Sequence, residues 1–205
     1  MIAISWNCQG LGNPQTVRDL RRMVKVKRPT LVFMMETKLR QRKMEKIRCS
    51  LGFHNLFVVD SIGKSGGLAL LWKEEVGLEI QNYRRRHIQA IVKNPVGDRL
   101  WKFTGFYGHP DASKRGEAWN LLKHLKDYSP HPWMCAGDFN EILEGSKKFG
   151  GCRRARGLME AFKETLAACE LSDLGAFGPF YTWHNGREGD SFTQERLDRV
   201  VATPD

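Results

Sequence analysis

The chain has 205 residues, 41% hydrophobic and 10% aromatic, which supports one sizeable core and excludes an intrinsically disordered protein. Lys and Arg outnumber Asp and Glu by 33 to 23, and the net charge of +10 favours a polyanionic partner such as nucleic acid, although a basic solvated surface would give the same value. Five scattered cysteines without a C-x-x-C pair predict reduced thiols, an intracellular protein and no zinc site, and no apolar run predicts a signal peptide or a membrane span.

The first third of the chain alternates between strand and helix patterns. Residues 2–6 predict a short strand that ends in Asn7, and Asn13 followed by proline predicts the start of a helix that stops before Pro29. Residues 31–35 predict a buried strand ending in Glu36, and residues 40–51 predict a helix with Gly52 just beyond its end.

The remaining segments continue the alternation. Strand patterns occupy 56–59, 67–72, 78–83, 88–93 and 100–107, with a hairpin turn predicted at 94–97. Asp111 is the predicted cap of a helix, residues 133–136 predict a strand that Gly137 breaks, and residues 155–170 predict another helix. Since no repeat or linker interrupts the pattern, we expect residues 1–205 to form a single α/β domain.

Four apolar runs end in groups able to do chemistry: Asn7, Glu36, Tyr107, and Asp138 with Asn140. A single polar strand end is ordinary turn chemistry, but the ends of several strands in an α/β sheet converge on one crevice, where ligands bind. Carboxylate and amide oxygens suit Mg²⁺ or Mn²⁺ better than zinc. A divalent cation would also explain how a basic protein with an acidic site accepts a phosphate, so the pattern predicts phosphodiester hydrolysis.

An ordered set of short motifs carries a family resemblance. The set consists of SWNCQGLG from Ser5, METK from Met35, SGGLALLW at 65–72, GFYGHP from Gly105, GDFNEIL at 137–143, GPFYTWHN at 178–185 and RLDRV at 196–200. In this order the motifs resemble the endonuclease/exonuclease/phosphatase superfamily. They are most similar to the apurinic-endonuclease-like nuclease domain of plant-type non-LTR (LINE) retrotransposons.

The resemblance implies a four-layer α/β/β/α sandwich of two mixed sheets, here lacking its final C-terminal strand. It implies that Glu36 binds the metal beside Asn7 and that Asp138 orients or deprotonates the attacking water. Asn140 would hold the scissile phosphate, and Tyr107 would contact it. As alternatives, Asp138 and Asn140 cap a turn, Tyr107 is a core residue, and Glu36 is a solvated strand exit.

Other residues are expected around this site. The resemblance implies that Asp198 is the late aspartate of the site, with a surface ion pair as the alternative. It also implies that Thr182 and Asn185 lie on a loop that approaches the nucleic acid. Two basic clusters, RRARG at 153–157 with Arg153 and Arg154 and YRRRH at 83–87, either track phosphates or form solvated faces.

The end of the chain departs from the family pattern. Relatives continue past the LDR motif to a Ser-Asp-His segment, whereas this chain stops at 203–205, and none of its six histidines lies in a matching context. In relatives the histidine of this segment contacts the phosphate. Because loss of a positioned acid/base or charge-stabilising group typically costs ~10²- to 10⁴-fold in rate, we expect weak or absent turnover.

The leading hypothesis is therefore a Mg²⁺-dependent endonuclease that nicks target DNA for retrotransposition. A non-catalytic nucleic-acid-binding remnant and a phosphatase of small phosphate esters are the alternatives. The resemblance implies DNA as partner, a nuclear location, no obligate protein partner and a former fusion to a reverse transcriptase.

Overall fold

The computed structural model describes residues 1–63, 65–93 and 99–204, so the hairpin turn predicted at 94–97 lies outside the described residues. The chain divides into two compact units, one from Met1 to Gly105 and one that begins at Phe106. Within the described ranges, no helix is long and apolar enough to cross a membrane.

The first unit is built on a sheet with the strand order β1-β2-β4-β3, in which β1 and β2 are parallel and the other neighbours antiparallel. In the same unit β5 pairs with β6, and β7 lies beside β6. The elements are β1 (Ala3–Asn7), α1 (Pro14–Lys27), β2 (Leu31–Met35), α2 (Gln41–Leu51), β3 (Asn55–Val59), β4 (Leu68–Trp72), β5 (Gly77–Arg84), β6 (His87–Lys93) and β7 (Leu100–Tyr107), whose last two residues belong to the second unit.

Local sequence signals explain the elements of this unit. All five residues of β2 are buried, as expected for an apolar run with a neighbouring strand on each side. The Asn13 side chain accepts a hydrogen bond from Gln15 N–H at 2.9 Å, with Pro14 as the first helical residue of α1. Gly52 ends α2 in the left-handed conformation at φ 68°. The predicted strands and helices of this unit are confirmed to within two residues.

The second unit continues with β8, which pairs with β13, and β13 pairs with β10, both antiparallel. A small sheet has the order β11-β12-β9. The elements are α3 (Arg115–Lys126), β8 (Trp133–Asp138), β9 (Lys148–Phe149), α4 (Arg156–Ala168), β10 (Ser172–Asp173), β11 (Trp183–His184), β12 (Gln194–Glu195) and β13 (Asp198–Ala202). Asp111, the predicted helix cap, caps a short 3₁₀ turn at Ala112–Lys114 that leads into α3.

Aromatic rings fill the core of the second unit. Trp119 of α3 stacks on Phe162 of α4 with ring centroids 4.5 Å apart, and Phe139 lies 5.3 Å from both Phe106 and Phe162. Phe139 is completely buried, so it anchors the segment that follows β8 in this core.

The prediction that Gly137 breaks the strand is wrong, because β8 continues through Gly137 to Asp138. A Cβ atom at position 137 would lie 1.8 Å from the carbonyl oxygen of Phe106. Glycine is therefore required here for close approach of two backbones inside a sheet, and does not end the strand. The strand carries Asp138 to its last position as a result.

His87 predicts an acid-sensitive step in the stability of the first unit. Its ring is completely buried, and neither ring nitrogen has a hydrogen-bond partner among the described residues. Burial, helped by the nearby Arg84 guanidinium, lowers the pKa of His87 to about 4. The unfolded chain binds this proton near pH 6.5, so stability is lost as the pH falls from about 6.5 to about 4, by up to about 3 kcal/mol. Urea unfolding across this range measures the loss, which we expect to be absent in His87→Phe.

The matched control is His54→Phe, since His54 is an exposed histidine of the same unit. This variant should retain the pH dependence of the wild type. An equal slope of stability against pH in His87→Phe and the wild type would contradict the assignment.

Candidate active site

Two of the predicted site residues lie at neighbouring strand ends of the first unit. Asn7 is the last residue of β1 and is paired in register with Met35, the last residue of β2, so that Glu36 follows at the same edge. Cys8 N–H donates to Met35 O at 3.0 Å, and Leu11 N–H donates to Thr37 O at 3.0 Å. These bonds fix the backbone that leaves both strands beside Asn7 and Glu36.

The Glu36 carboxylate is partly open, with a side-chain exposure of 24%. The Lys38 ammonium lies 3.7 Å from Glu36 Oε2 and donates to Gln9 O at 3.1 Å. Asn7 Oδ1 accepts a hydrogen bond from Gln9 N–H at 3.3 Å. The edge therefore presents one carboxylate and one amide oxygen, both hard ligands.

This donor set fits Mg²⁺ and does not fit a closed zinc site. Among the described residues, no group of three or more His, Cys, Asp and Glu side chains is placed to hold a metal ion. Mg²⁺ is commonly held by one or two carboxylates, with water and substrate phosphate completing its shell. Glu36 and Asn7 are the residues of the first unit that would hold it.

Two aspartates face each other in the second unit. Asp138, the last residue of β8, is paired in register with Asp198, the first residue of β13. Asp138 is buried, with 5% of its surface exposed. Burial, and then the Asp138 charge, raise the pKa of Asp198 to about 7. Asp198 is therefore partly protonated near neutral pH beside the Asp138 carboxyl, an arrangement typical of acid–base sites.

Asn140 is held rigidly beside these aspartates. Its backbone has φ 56°, and its N–H donates to Asp138 Oδ1 at 2.8 Å. Asn140 Nδ2 donates to Gly108 O at 3.0 Å, while Gly108 N–H donates to Asp138 O at 2.7 Å. A Cβ atom on Gly108 would lie 2.1 Å from Phe139 O, so the close approach requires glycine. These contacts bring Asp138, Asn140 and the end of β7 together.

Tyr107 is the last residue of β7 and directly precedes Gly108. It is buried, with 6% of its surface exposed. The alternative that Tyr107 belongs to the core thus agrees with its burial, and its contact with phosphate stays a prediction.

Thr182 contacts the Asp198 segment. Its hydroxyl oxygen accepts hydrogen bonds from Leu197 N–H and Asp198 N–H, both at 3.0 Å. A further hydrogen bond from Thr182 to the Asp198 carboxylate opposes the rise in the pKa of Asp198. Thr182 is exposed, and its hydroxyl positions Asp198 through these hydrogen bonds, whereas its contact with nucleic acid stays a prediction.

The other predicted contacts are placed differently. Asn185 uses its side chain within its own turn, where Nδ2 donates to Ser191 O at 2.7 Å and Oδ1 accepts from Arg187 N–H at 3.1 Å. Arg154 pairs with Glu195, which Lys148 also contacts, and its contact with nucleic acid stays a prediction. Arg153 is exposed and lines a basic cleft of about 540 Å³ with Lys148, Arg154 and Arg156.

Sequence reasoning missed the buried charges that support the site. Glu141, one residue after Asn140, is completely buried and accepts a hydrogen bond from Arg115 Nη1 at 2.5 Å. Arg196 and Arg199 flank Asp198, yet both pair with Asp173, at 3.0 and 2.9 Å. Asp198 is therefore not merely the partner of its neighbouring arginines. The sequence indicates these buried charges only by placing a charged residue directly beside a core position.

Comparisons with known proteins bear on the whole chain. A model of the Endonuclease/Exonuclease/phosphatase family matches residues 4–205. No curated protein matches the sequence. Among solved structures, the 3′ phosphatase NExo from Neisseria, in complex with a product DNA hairpin, is similar with a TM-score of 0.74 and 17% identity, over 98% of this chain and 86% of that chain.

The chain is also similar to the structures of a retrotransposon endonuclease domain and of an AP endonuclease. The endonuclease domain of TRAS1, a telomere-specific non-LTR retrotransposon, has a TM-score of 0.72 and 13% identity, over 98% of this chain and 84% of that chain. The AP endonuclease LMAP from Leishmania major has a TM-score of 0.73 and 16% identity, over 98% of this chain and 78% of that chain. These likenesses confirm the predicted α/β fold class with two large mixed sheets. Since the family model spans almost the entire sequence, the chain belongs to the Endonuclease/Exonuclease/phosphatase family.

Proposed function

We propose that the protein is a metal-dependent nuclease that hydrolyses phosphodiester bonds in DNA. The observation that carries the proposal is the pairing of Asp138 with Asp198 beside the fixed amide of Asn140. Membership of the family restricts the chemistry to phosphate ester hydrolysis by a nuclease or phosphatase.

Three residues of the second unit have separate roles in the proposed hydrolysis. Asp138 accepts a proton from the attacking water, since the Asn140 N–H fixes the rotation of its carboxylate. Asn140 donates one amide hydrogen to Gly108 O and uses the other to hold a phosphate oxygen. Asp198, whose pKa is raised to about 7, can take up or release a proton near neutral pH.

The proposed cofactor is Mg²⁺, or Mn²⁺, held by Glu36 and Asn7. When bound, the ion supplies Lewis-acid polarisation of a phosphoryl oxygen. Lys38, whose ammonium lies 3.7 Å from Glu36, balances the carboxylate charge in the absence of the ion.

DNA is the proposed substrate because the chain carries a net charge of +10 and exposes Arg153 beside a basic cleft. The likeness to a retrotransposon endonuclease domain and to an AP endonuclease supports a nicking activity on target DNA. A role in retrotransposition would require a nuclear location.

A plasmid assay tests the proposal. Supercoiled plasmid incubated with the protein should be converted to the nicked form with Mg²⁺ or Mn²⁺ and should stay supercoiled with EDTA. Salt-sensitive binding to the plasmid without cleavage in either metal would refute the nuclease and favour the non-catalytic binding protein.

A second candidate function is removal of a terminal phosphate. It is favoured by the likeness to the 3′ phosphatase NExo. Release of inorganic phosphate from a 3′-phosphorylated oligonucleotide, with an intact plasmid in the parallel reaction, would favour this candidate over the endonuclease.

Asp198→Asn should stabilise the protein while it lowers the cleavage rate. The folded chain keeps a proton on Asp198 up to about pH 7, whereas the unfolded chain releases it near pH 3.8, so wild-type stability decreases as the pH rises through this window. The variant lacks this penalty and should be more stable above pH 7 by about 1–3 kcal/mol. Urea unfolding at acid and alkaline pH measures the difference, and a difference that does not grow with pH would contradict the assignment.

A further inference from the structure

An exposed aromatic loop in the second unit is not used by the proposed chemistry. Phe177 has a relative exposure of 108%, so none of the residues that the structure describes covers its ring. Leu174 and Phe180, in the same loop, are 62% and 43% exposed. Large apolar side chains grouped on one surface segment mark an interaction site.

The first end of this loop is fixed. Asp173 Oδ1 accepts a hydrogen bond from Gly175 N–H at 2.9 Å, and the same carboxylate pairs with Arg196 and Arg199. Leu174 N–H donates to Val200 O at 3.0 Å. The loop therefore leaves β10 from an ordered, charge-stabilised turn.

The second end is fixed to the same region of the chain. Thr182 N–H donates to Glu195 O at 3.0 Å, and the Thr182 hydroxyl accepts from Asp198 N–H at 3.0 Å. Both ends are thus hydrogen-bonded to residues 195–200, the segment that carries Asp198. Between them, Gly175 and Gly178 adopt φ 80° and 104°, which shapes the turn that exposes Phe177.

A cation accompanies the aromatic rings. The Lys147 ammonium lies 4.6 Å from the centroid of the Phe180 ring, and Tyr181 meets the same ring edge-on at 5.1 Å. Positive charge among exposed rings complements a ligand that combines flat π-systems with phosphates, and it is poorly suited to a purely apolar partner. Nucleic acid has this combination.

We propose that Phe177, Phe180 and Lys147, the aromatic platform, bind unstacked nucleobases, so that the substrate class is DNA with unpaired bases near the cleaved bond. The inference rests on the proposed function, and it narrows the substrate from DNA in general to DNA whose bases are accessible. A stacked duplex hides its base faces, whereas a single strand, a bubble or a mismatch presents them to an exposed ring.

Binding measured without turnover tests the platform. Fluorescence anisotropy in EDTA compares a short single strand, a duplex with a central bubble and a fully paired duplex. We expect Phe177→Ala to weaken binding to the single strand and the bubble by about 5- to 100-fold, with less than about a twofold change for the paired duplex. Phe177→Trp should retain the affinity, since indole also stacks. Tyr128→Ala is the matched control, because Tyr128 is a 60% exposed aromatic residue outside the loop and should change neither affinity.

Several outcomes overturn the platform. They are an unchanged affinity of Phe177→Ala for the bubble, an equal loss for bubble and paired duplex, and a Phe177-dependent self-association or vesicle binding with unchanged oligonucleotide affinity. Failure of the two proposals is distinguishable. A wild type that binds bubbles through Phe177 but never cleaves refutes the nuclease alone, and a nicking protein indifferent to Phe177 refutes the platform alone.

Discussion

Replacement of Asp138 by Asn is expected to lower the rate of DNA cleavage by about 10²- to 10⁴-fold, because an amide cannot accept the proton of the attacking water. The fold should persist. Asn retains an Oδ1 acceptor for Asn140 N–H, so the bond that orders the strand end remains. Removal of one of two facing carboxylates should also bring the pKa of Asp198 closer to its ordinary value. Initial rates of plasmid nicking measure the first effect, and a pH titration followed by NMR measures the second.

Asp111→Asn provides the matched control for this variant. Asp111 is an exposed aspartate of the same unit that caps the 3₁₀ turn, and Asn caps equally well. The control should nick plasmid at the wild-type rate with an unchanged melting temperature. If Asp138→Asn keeps more than about a tenth of the wild-type rate while remaining folded, Asp138 is not the proton acceptor.

Short-range signals account for the parts of the fold that the sequence predicts well. The cap of α1 depends on Asn13, Gln15 and the intervening proline, all within three positions. The run at Leu31–Met35 is apolar throughout because neighbours cover both of its edges and both faces are buried. Such patterns are local and can be identified without tertiary structure.

Long-range contacts account for what the sequence could not predict. Gly137 has the local character of a strand breaker, and only the Phe106 backbone at the neighbouring strand shows why glycine belongs inside β8. The pairing of Asp138 with Asp198 joins residues that are 60 positions apart. The family resemblance named both aspartates, but their register and the raised pKa of Asp198 follow from the sheet alone.

Backbone strain is concentrated where strands end. Among the described non-glycine residues with positive φ, Arg28 and Glu170 follow helices, where the left-handed conformation is common. The others follow β1, β2 and β8: Gln9 at 50°, Glu36 at 52°, Lys38 at 54° and Asn140 at 56°. Each such residue costs about 1 kcal/mol or more, and strain of this kind persists where surrounding contacts hold a functional geometry. Glu36 and Asn140 combine this conformation with a carboxylate and an amide that suit the proposed chemistry.

Glu141→Ala is expected to lower the free energy of unfolding by about 3–5 kcal/mol, since it leaves the buried Arg115 guanidinium without its carboxylate. Glu141 directly follows Asn140, and its carboxylate also accepts a hydrogen bond from Ile142 N–H at 2.9 Å. The loss should therefore reach the candidate site as well as the core. Urea unfolding monitored by tryptophan fluorescence measures the stability change, and hydrogen exchange measures opening of the segment after β8.

A double variant distinguishes the loss of the Glu141–Arg115 ion pair from the loss of side-chain volume. In Glu141→Met with Arg115→Met both charges are removed, and most of the stability lost by the single variant should return, because apolar residues of similar volume replace a buried pair at little cost. Glu117→Ala, at an exposed position early in α3, should change stability by less than about 0.5 kcal/mol. A loss below about 1 kcal/mol in Glu141→Ala would show that water reaches Arg115 in the variant. Recovery of stability without recovery of cleavage in the double variant would show that the ion pair positions Asn140 in addition to stabilising the unit.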